Sequence, residues 1–268
     1  MAKPKDLVVK GGALPYPGSA NSVSGRLVKL FPPHKHYASP FGGMDSTFWA
    51  HPGTEKYTIG DINKDTIDIW RGLKDGTLMN RMEQIQCIPA RMDLVDRALK
   101  KRSPIANIYL WKVLFQGKTK YPSIPKRLRG KEVCFSRQLR NRPKIEEKVQ
   151  SVNLNHGTWE STVDKADSPS TFFFLDPPWK LESGVEDQTR YYGKNAVVDF
   201  DAIYNRMAGI KGKFMLYCQF DDTLAEDAKQ HGFHTYRVKS RGHAHKDSRK
   251  GYLIATNYPV SFKGSKGK

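Results

Sequence analysis

Thr171-Phe172-Phe173-Phe174-Leu175-Asp176-Pro177-Pro178-Trp179 is the stretch whose reading decides the fold. Its apolar run, with three phenylalanines, reads as a strand buried on both faces. The two prolines forbid continuation, because each lacks an N–H and Pro178 biases Pro177 towards an extended conformation. A carboxylate, two free backbone carbonyls and an indole are thereby expected at the carboxyl end of a central strand. In open α/β sheets that edge is where ligands bind. An Asp there can accept a hydrogen bond from an exocyclic amine, a proline carbonyl can accept a second, and an indole can stack on a planar base. Asp-Pro-Pro is also a common turn and a Trp can simply plug a core edge, so the rest of the chain has to decide.

Composition narrows the class. A length of 268 residues suits one α/β domain carrying a substantial insertion, and 38% hydrophobic residues suffice for a core. No apolar run is long enough to span a bilayer, and Met1-Ala2-Lys3-Pro4-Lys5-Asp6 offers no signal peptide. Cys87, Cys134 and Cys218 are scattered and odd in number, which argues against a disulfide framework or a structural zinc site and for a reducing cytoplasm. The formal charge of +18 creates a field that attracts polyanions, most plausibly nucleic acid. No basic amphipathic helix or lipidation signal favours a membrane surface.

Outward from the deciding strand, the first part of the chain carries ligand-binding signals. A helix is expected at Ser24-Gly25-Arg26-Leu27-Val28-Lys29-Leu30-Phe31, stopped by Pro32-Pro33. Tyr37-Ala38-Ser39 reads as a short strand running into Pro40-Phe41-Gly42-Gly43, where glycine lets backbone approach a ligand. Lys56 to Asn63 reads as an alternating strand closed by Asp61. Asp61 lies about 20 residues past the glycine turn, where Rossmann-like folds place an acid on ribose hydroxyls; an ordinary helix cap is the other reading. Ile67, Ile69, Trp70 and Leu73 make the next helix.

From about Gly76 to Gln150 the alternation thins and basic residues crowd, with aromatics such as Tyr109, Trp111 and Phe135 between them. Lys126, Arg127, Arg129, Arg137, Arg140 and Arg142 are candidate phosphate ligands, against the plainer reading of a solvated face. The expected division is therefore 1–78 and 151–268 for the catalytic domain, with 79–150 as an inserted, mainly helical recognition region. Beyond it, strands are expected near 151–154, 213–218, 233–238 and 252–257, with helices before the Asp-Pro-Pro-Trp strand and around Phe200–Met207 and Leu224–Gln230. His243 and His245 lack a third ligand nearby, so no metal is expected.

With these residues in place, the chain resembles the Dam-like (D12 class) N6-adenine-specific DNA methyltransferases. Tyr16-Pro17-Gly18-Ser19, Pro40-Phe41-Gly42-Gly43, Gly60-Asp61-Ile62-Asn63, Asp176-Pro177-Pro178-Trp179 and Leu253-Ile254-Ala255-Thr256-Asn257-Tyr258 occur in that family's order. The resemblance implies a Rossmann-like S-adenosylmethionine-dependent sheet. It further implies that Tyr16, Pro17, Gly18, Phe41, Gly42, Asp61, Ile62, Thr158, Trp159 and Asp176 line the S-adenosylmethionine site. Asp176, Pro177, Pro178 and Trp179 would then hold the target adenine. The chain departs from the family in having Ala20-Asn21-Ser22 where a lysine usually follows the first small pair. It also has Ser39 where a Glu usually precedes Pro40, Met44-Asp45 in place of a third glycine, and Trp179 where Tyr is usual.

The expected reaction is methyl transfer to the N6 amine of an adenine flipped out of double-stranded DNA, with no membrane and no obligatory protein partner, in the cytoplasm of a bacterial or phage-infected cell. An RNA adenine methyltransferase, or a nucleic-acid-binding protein that keeps the fold without the catalysis, are the alternatives.

Overall fold

Burial of alternate side chains on opposite faces explains where each strand of this molecule lies. The computed structural model describes residues 7–10, 12–16, 20–114, 122–179, 198–239 and 251–261. In chain order the strands are β1 (His36–Ser39), β2 (Lys56–Asp61), β3 (Cys87–Pro89), β4 (Glu132–Cys134), β5 (Val152–His156), β6 (Thr171–Leu175), β7 (Lys213–Gln219), β8 (His234–Val238) and β9 (Tyr252–Thr256). All except β3 and β4 join one sheet in the order β5-β2-β1-β6-β7-β9-β8. The strands from β5 to β7 are parallel, and β9 runs antiparallel between β7 and β8.

The expected central strand is β6, all five of whose residues are buried. Phe172 and Phe174 enter the core on one face; Phe173 and Leu175 enter the core on the other. Burying each phenylalanine contributes about 2–3 kcal/mol, so this strand belongs between two layers of structure and not at an edge. Strand order runs outward from β1 through β2 to β5 on one side and from β6 to β7 on the other. The reversal at β1 and β6 is the switch point at which an α/β sheet opens a crevice.

Helices cover both faces. They are α1 (Ser24–Leu27), α2 (Ser46–Ala50), α3 (Lys64–Lys74), α4 (Thr77–Ile85), α5 (Met92–Lys100), α6 (Pro104–Val113), α7 (Ser136–Arg140), α8 (Arg142–Gln150), α9 (Trp159–Ala166), α10 (Phe200–Ala208) and α11 (Asp222–Gln230). The expected helix from Ser24 is shorter: α1 gives way to a 3-10 turn at Val28–Leu30 as Pro32 approaches. Side-chain caps fix the entries of the longer helices, Asn63 for α3 and Thr158 for α9.

The inserted region is mainly helical and has two kinds of packing. Residues between Ala90 and Val133 enclose a small core of Ala90, Val95, Tyr109, Leu110, Val113, Ile124 and Val133. Leu78, Met79, Met82, Ile108, Phe135, Ile145 and Val149 instead join the core of the sheet. The fully buried Lys148 of α8 donates to the carbonyls of Leu7, Trp49 and His51, at 3.3, 3.4 and 2.5 Å, which ties the insertion to the end of α2. One expectation is corrected here. Cys87 and Cys134 face each other across the β3–β4 pair and form a disulfide, because chain topology brings together residues that are far apart in sequence. Cys218 is free and buried. Glu132 adjoins the pair, and this is the one cluster of metal-capable side chains among the described residues.

Candidate active site

The turn after β1 is locked to β2. Gly42 N–H donates to the Gly60 carbonyl at 2.6 Å, and a Cβ on Gly42 would lie 2.4 Å from Ile59 Cγ2. Gly43 has φ +41° and its carbonyl accepts from Trp70 Nε1 at 2.7 Å. Its N–H donates to Asp61 Oδ2 at 2.8 Å, while Asn63 N–H donates to Asp61 Oδ1 at 2.8 Å. Asp61 therefore bridges the glycine turn to the entry of α3, and the cap proper is Asn63. Burial pushes the Asp61 carboxyl up, with these two N–H groups pulling the other way.

Around this bridge stand apolar surfaces suited to a flat ligand. Ile62 is 51% exposed, which is unusual for isoleucine. Phe41 and Trp159 stack with ring centroids 6.0 Å apart and planes 24° apart, and Thr158 beside them is exposed. Tyr16 lies against Gly43 and meets Trp111 of α6 edge-on at 5.0 Å, so a helix of the insertion touches this region. Pro17 and Gly18, and the loop holding His243 and His245, lie outside the described residues.

Beside the turn, at the end of β6, Trp179 Nε1 donates to Asp176 Oδ1 at 3.1 Å. The indole is braced by Tyr217 of β7 at 5.9 Å and Tyr252 of β9 at 5.7 Å. Pro177 is buried, and Pro178 and Trp179 are half-buried. Burial pushes the Asp176 carboxyl up to about 8; the Trp179 N–H opposes this and the nearby Asp45 carboxylate adds to it. Burial likewise raises the Tyr217 hydroxyl and the Cys218 thiol, each with a further contribution from Asp176.

Asp45, Tyr217 and Tyr252 were not singled out in the sequence as site residues. Asp45 Oδ1 accepts from Thr47 N, Thr47 Oγ1 and Phe48 N at 2.8, 2.6 and 3.0 Å, and Oδ2 accepts from the Tyr37 hydroxyl at 2.5 Å. The signal for it was present: Asp-Ser-Thr after a glycine turn is helix-capping grammar. The tyrosines lie in strands whose alternation marks them only as core.

The basic residues divide. Lys126, Arg127, Arg129 and Arg140 are exposed. The Arg137 guanidinium instead donates to the carbonyls of Lys10 and Gly12 at 2.5 and 2.9 Å, and its neighbour Gln138 donates to Ala13. Arg142 is engaged with Glu146, Glu83 and Asn80 at 2.7, 2.7 and 2.6 Å. The expectation of six equivalent phosphate ligands is thus narrowed. Of the six candidates, one is a lysine and five are arginines; the guanidiniums of Arg137 and Arg142 hold the fold together, and Arg129 Nε donates to the Ile124 carbonyl at 3.3 Å while its residue stays exposed.

Strand order, switch-point crevice and an enclosed carboxyl beside an aromatic ring together define an open α/β fold with a ligand crevice at the carboxyl edge of its sheet. The sequence model of the D12 class N6 adenine-specific DNA methyltransferases matches residues 16–243, and the chain belongs to that family. It is accordingly an S-adenosylmethionine-dependent enzyme acting on the N6 amine of adenine in DNA. Among solved structures it is similar to a precorrin-6y C5,15-methyltransferase from Geobacter metallireducens GS-15, with 11% identity over 88% of this chain and 85% of that one and a TM-score of 0.36. It is also similar to an rRNA methylase from Streptococcus thermophilus, with 7% identity over 88% and 93% and a TM-score of 0.35. Comparison with curated proteins gives no match. No helix among the described residues is long and apolar enough to cross a membrane.

Proposed function

We propose that the chain methylates adenine in double-stranded DNA and that the residues at the ends of β1, β2 and β6 carry the reaction. The observation that supports this most directly is the Asp176 carboxyl, enclosed at the switch point with one oxygen already engaged by an indole N–H. Its other oxygen and the Pro177 carbonyl would accept the two hydrogens of the N6 amine. Adenine N6 is a poor nucleophile because its lone pair is delocalised. Two acceptors favour a tetrahedral nitrogen, and they bind more strongly as positive charge develops there, which stabilises the transition state preferentially. Trp179, held from behind by Tyr217 and Tyr252, would stack on the base, which has to leave the duplex to reach the site.

The bound cofactor supplies a methyl group made electrophilic by its sulfonium. Phe41, Ile62 and Trp159 offer apolar surface for its adenine and Asp61 retains lone pairs for ribose hydroxyls, while Gly42 and Gly43 let the turn after β1 close against Ile59, Gly60 and Tyr16 beside them. Tyr16 to Gly18 and Thr158 complete the reading. With the cofactor bound, the amine nitrogen would bond to the methyl carbon as the carbon–sulfur bond breaks, and the surplus proton would pass to solvent.

Residues 79–150 would choose the target, with Lys126, Arg127, Arg129 and Arg140 neutralising phosphates. The reading needs no protein partner and places the enzyme in the cytoplasm of a bacterial or phage-infected cell, where its DNA is found. The test is transfer of labelled methyl to duplex DNA, single-stranded DNA and RNA by the wild type and Asp176→Ala. Duplex-dependent transfer that falls more than tenfold in the variant is expected. Preferential methylation of RNA, or a variant with near-parental rate, would overturn the assignment.

A further inference from the structure

The described residues from Leu7 to Tyr16 form neither helix nor strand, so no ladder fixes their backbone. The course of such a segment is set by what holds its side chains and its carbonyls. Apolar packing does part of this. Val9, Ala13 and Leu14 are buried in the core beside the sheet, and the Val9 N–H donates to the Trp49 carbonyl at 2.9 Å. Gly12 then turns the chain with φ +73°. The carbonyls are met from the inserted region. Lys148 of α8 reaches Leu7, Arg137 of α7 reaches Lys10 and Gly12, and Gln138 Nε2 donates to the Ala13 carbonyl at 2.8 Å. Three residues further on, half-buried Tyr16 lays its ring over the glycine turn: a Cβ on Gly43 would lie 2.9 Å from Tyr16 Cε1. Gln138 differs from the other two holders. It is neutral and 4% exposed, which removes it from any contact with phosphate, and its Oε1 is buried with no hydrogen-bond partner among the described residues. A buried amide that uses one end and leaves the other unsatisfied serves stability less well than an apolar side chain of its size. Its bond to Ala13 is therefore retained for something other than stability.

We infer that Gln138 is a positioning residue for the methyl donor: by holding the Ala13 carbonyl it delivers Tyr16 onto the turn after β1. The inference rests on the reading that Tyr16 and this turn line the S-adenosylmethionine site. The inserted region then serves cofactor binding as well as target choice, through α7 and not through its basic surface. Exposed Arg137, on the Lys10 and Gly12 carbonyls, acts on the same segment from outside. Neither side chain has to touch the cofactor. Both act through Tyr16, so their effect belongs to cofactor affinity and disappears when the Tyr16 ring is gone.

Gln138→Met keeps the volume, removes the donor and tests this in the full chain. Titration calorimetry with S-adenosylmethionine should show an affinity about fivefold below the parent's, the loss of one net hydrogen bond. In steady-state transfer the KM for S-adenosylmethionine should rise by about the same factor, with kcat and the KM for duplex DNA within about twofold. Urea unfolding should stay cooperative with a midpoint near the parent's, because the unsatisfied Oε1 leaves together with the Nε2 bond. In a Tyr16→Leu background, Gln138→Met should cost no further cofactor affinity, since the two residues act in series. Arg137→Met, at the surface, provides a second variant should Gln138→Met fail to fold, with the same cofactor pattern expected. Unchanged cofactor affinity in a folded variant, additive losses in the double variant, or a rise confined to the KM for DNA would overturn the inference while leaving the cofactor reading intact. Failure of the wild type to bind S-adenosylmethionine would overturn both.

Discussion

Replacing Asp176 by Asn removes one ionisable proton and leaves the shape of the β6 end nearly unchanged, so its effect on folding measures what the enclosed carboxyl costs. The carboxyl sits at about 8 in the folded chain, against 3.8 for an unperturbed Asp. Between those values the folded state keeps a proton that the unfolded state has released. Stability is therefore fully present below about pH 4 and is lost as pH rises towards 8. A shift of about four units at about 1.4 kcal/mol each sets an upper bound of roughly 6 kcal/mol. Water at the crevice mouth screens a half-buried group, and about 2–3 kcal/mol is the expected net effect. Asn retains an oxygen for the Trp179 N–H, so that hydrogen bond survives. Urea unfolding of both proteins at pH 5, 6.5 and 8 should show Asp176→Asn gaining on the wild type at each step, while methyl transfer falls more than tenfold. A variant no more stable than the parent at pH 8 would refute the reasoning, because it would mean that the carboxyl is well solvated.

Asp61→Ala should weaken S-adenosylmethionine binding about tenfold or more by calorimetry and cost about 1–2 kcal/mol of stability, since the N–H groups of Gly43 and Asn63 lose their acceptor; an unchanged affinity would leave Asp61 as an organiser of the turn alone. Burial lowers His34, lowers His36 to about 4 and lowers His51 to about 3, so their contribution to stability is present above about pH 6.5 and is lost as pH falls. In the Asp176→Asn background, where the opposing titration is gone, the urea midpoint should drop between pH 6.5 and 5, by up to about 1.4 kcal/mol per pH unit for each histidine, and a flat profile would contradict their burial. Removing Lys126, Arg127 and Arg129 together should weaken DNA binding and reduce the log–log salt slope by about 0.9 per lost contact. Arg137→Ala should instead lower the unfolding midpoint and leave that slope unchanged, because its guanidinium holds the Lys10 and Gly12 carbonyls; the opposite pattern would reverse these assignments.

Much of the fold was legible because it rests on local rules. The Phe172–Phe174 run, the stop at Pro177-Pro178 and the alternation of β2 locate the switch point from short-range pattern alone. The role of Asp61 was legible only in part, since position suggested a ribose ligand or a cap and the carboxylate in fact bridges two backbone N–H groups. What the sequence hid depends on long-range geometry. Arg137 and Arg142 look like Lys126 and Arg127 in a basic stretch, and only the folded chain shows which guanidiniums meet carbonyls and carboxylates. Cys87 and Cys134 read as scattered because their pairing is set by β3 and β4 closing the base of the small core. Asp45 read as a missing glycine, although its hydrogen bonds make it the organiser of the α2 entry.

The two-tier packing of the inserted region has a consequence for how target choice can be exchanged between proteins. Residues 90–133 enclose a core of their own and return to their starting point, with the Cα atoms of Cys87 and Cys134 only 4.0 Å apart. A foreign lobe with two strand ends at that spacing could be grafted there as a cassette, leaving the methyl-transfer machinery undisturbed. A graft cut at 78 and 150 would instead carry away Lys148, and with it the ammonium that the carbonyls of Trp49 and His51 share at the end of α2. The practical boundary for transplanting specificity lies inside the composition change, at the foot of the β3–β4 ladder.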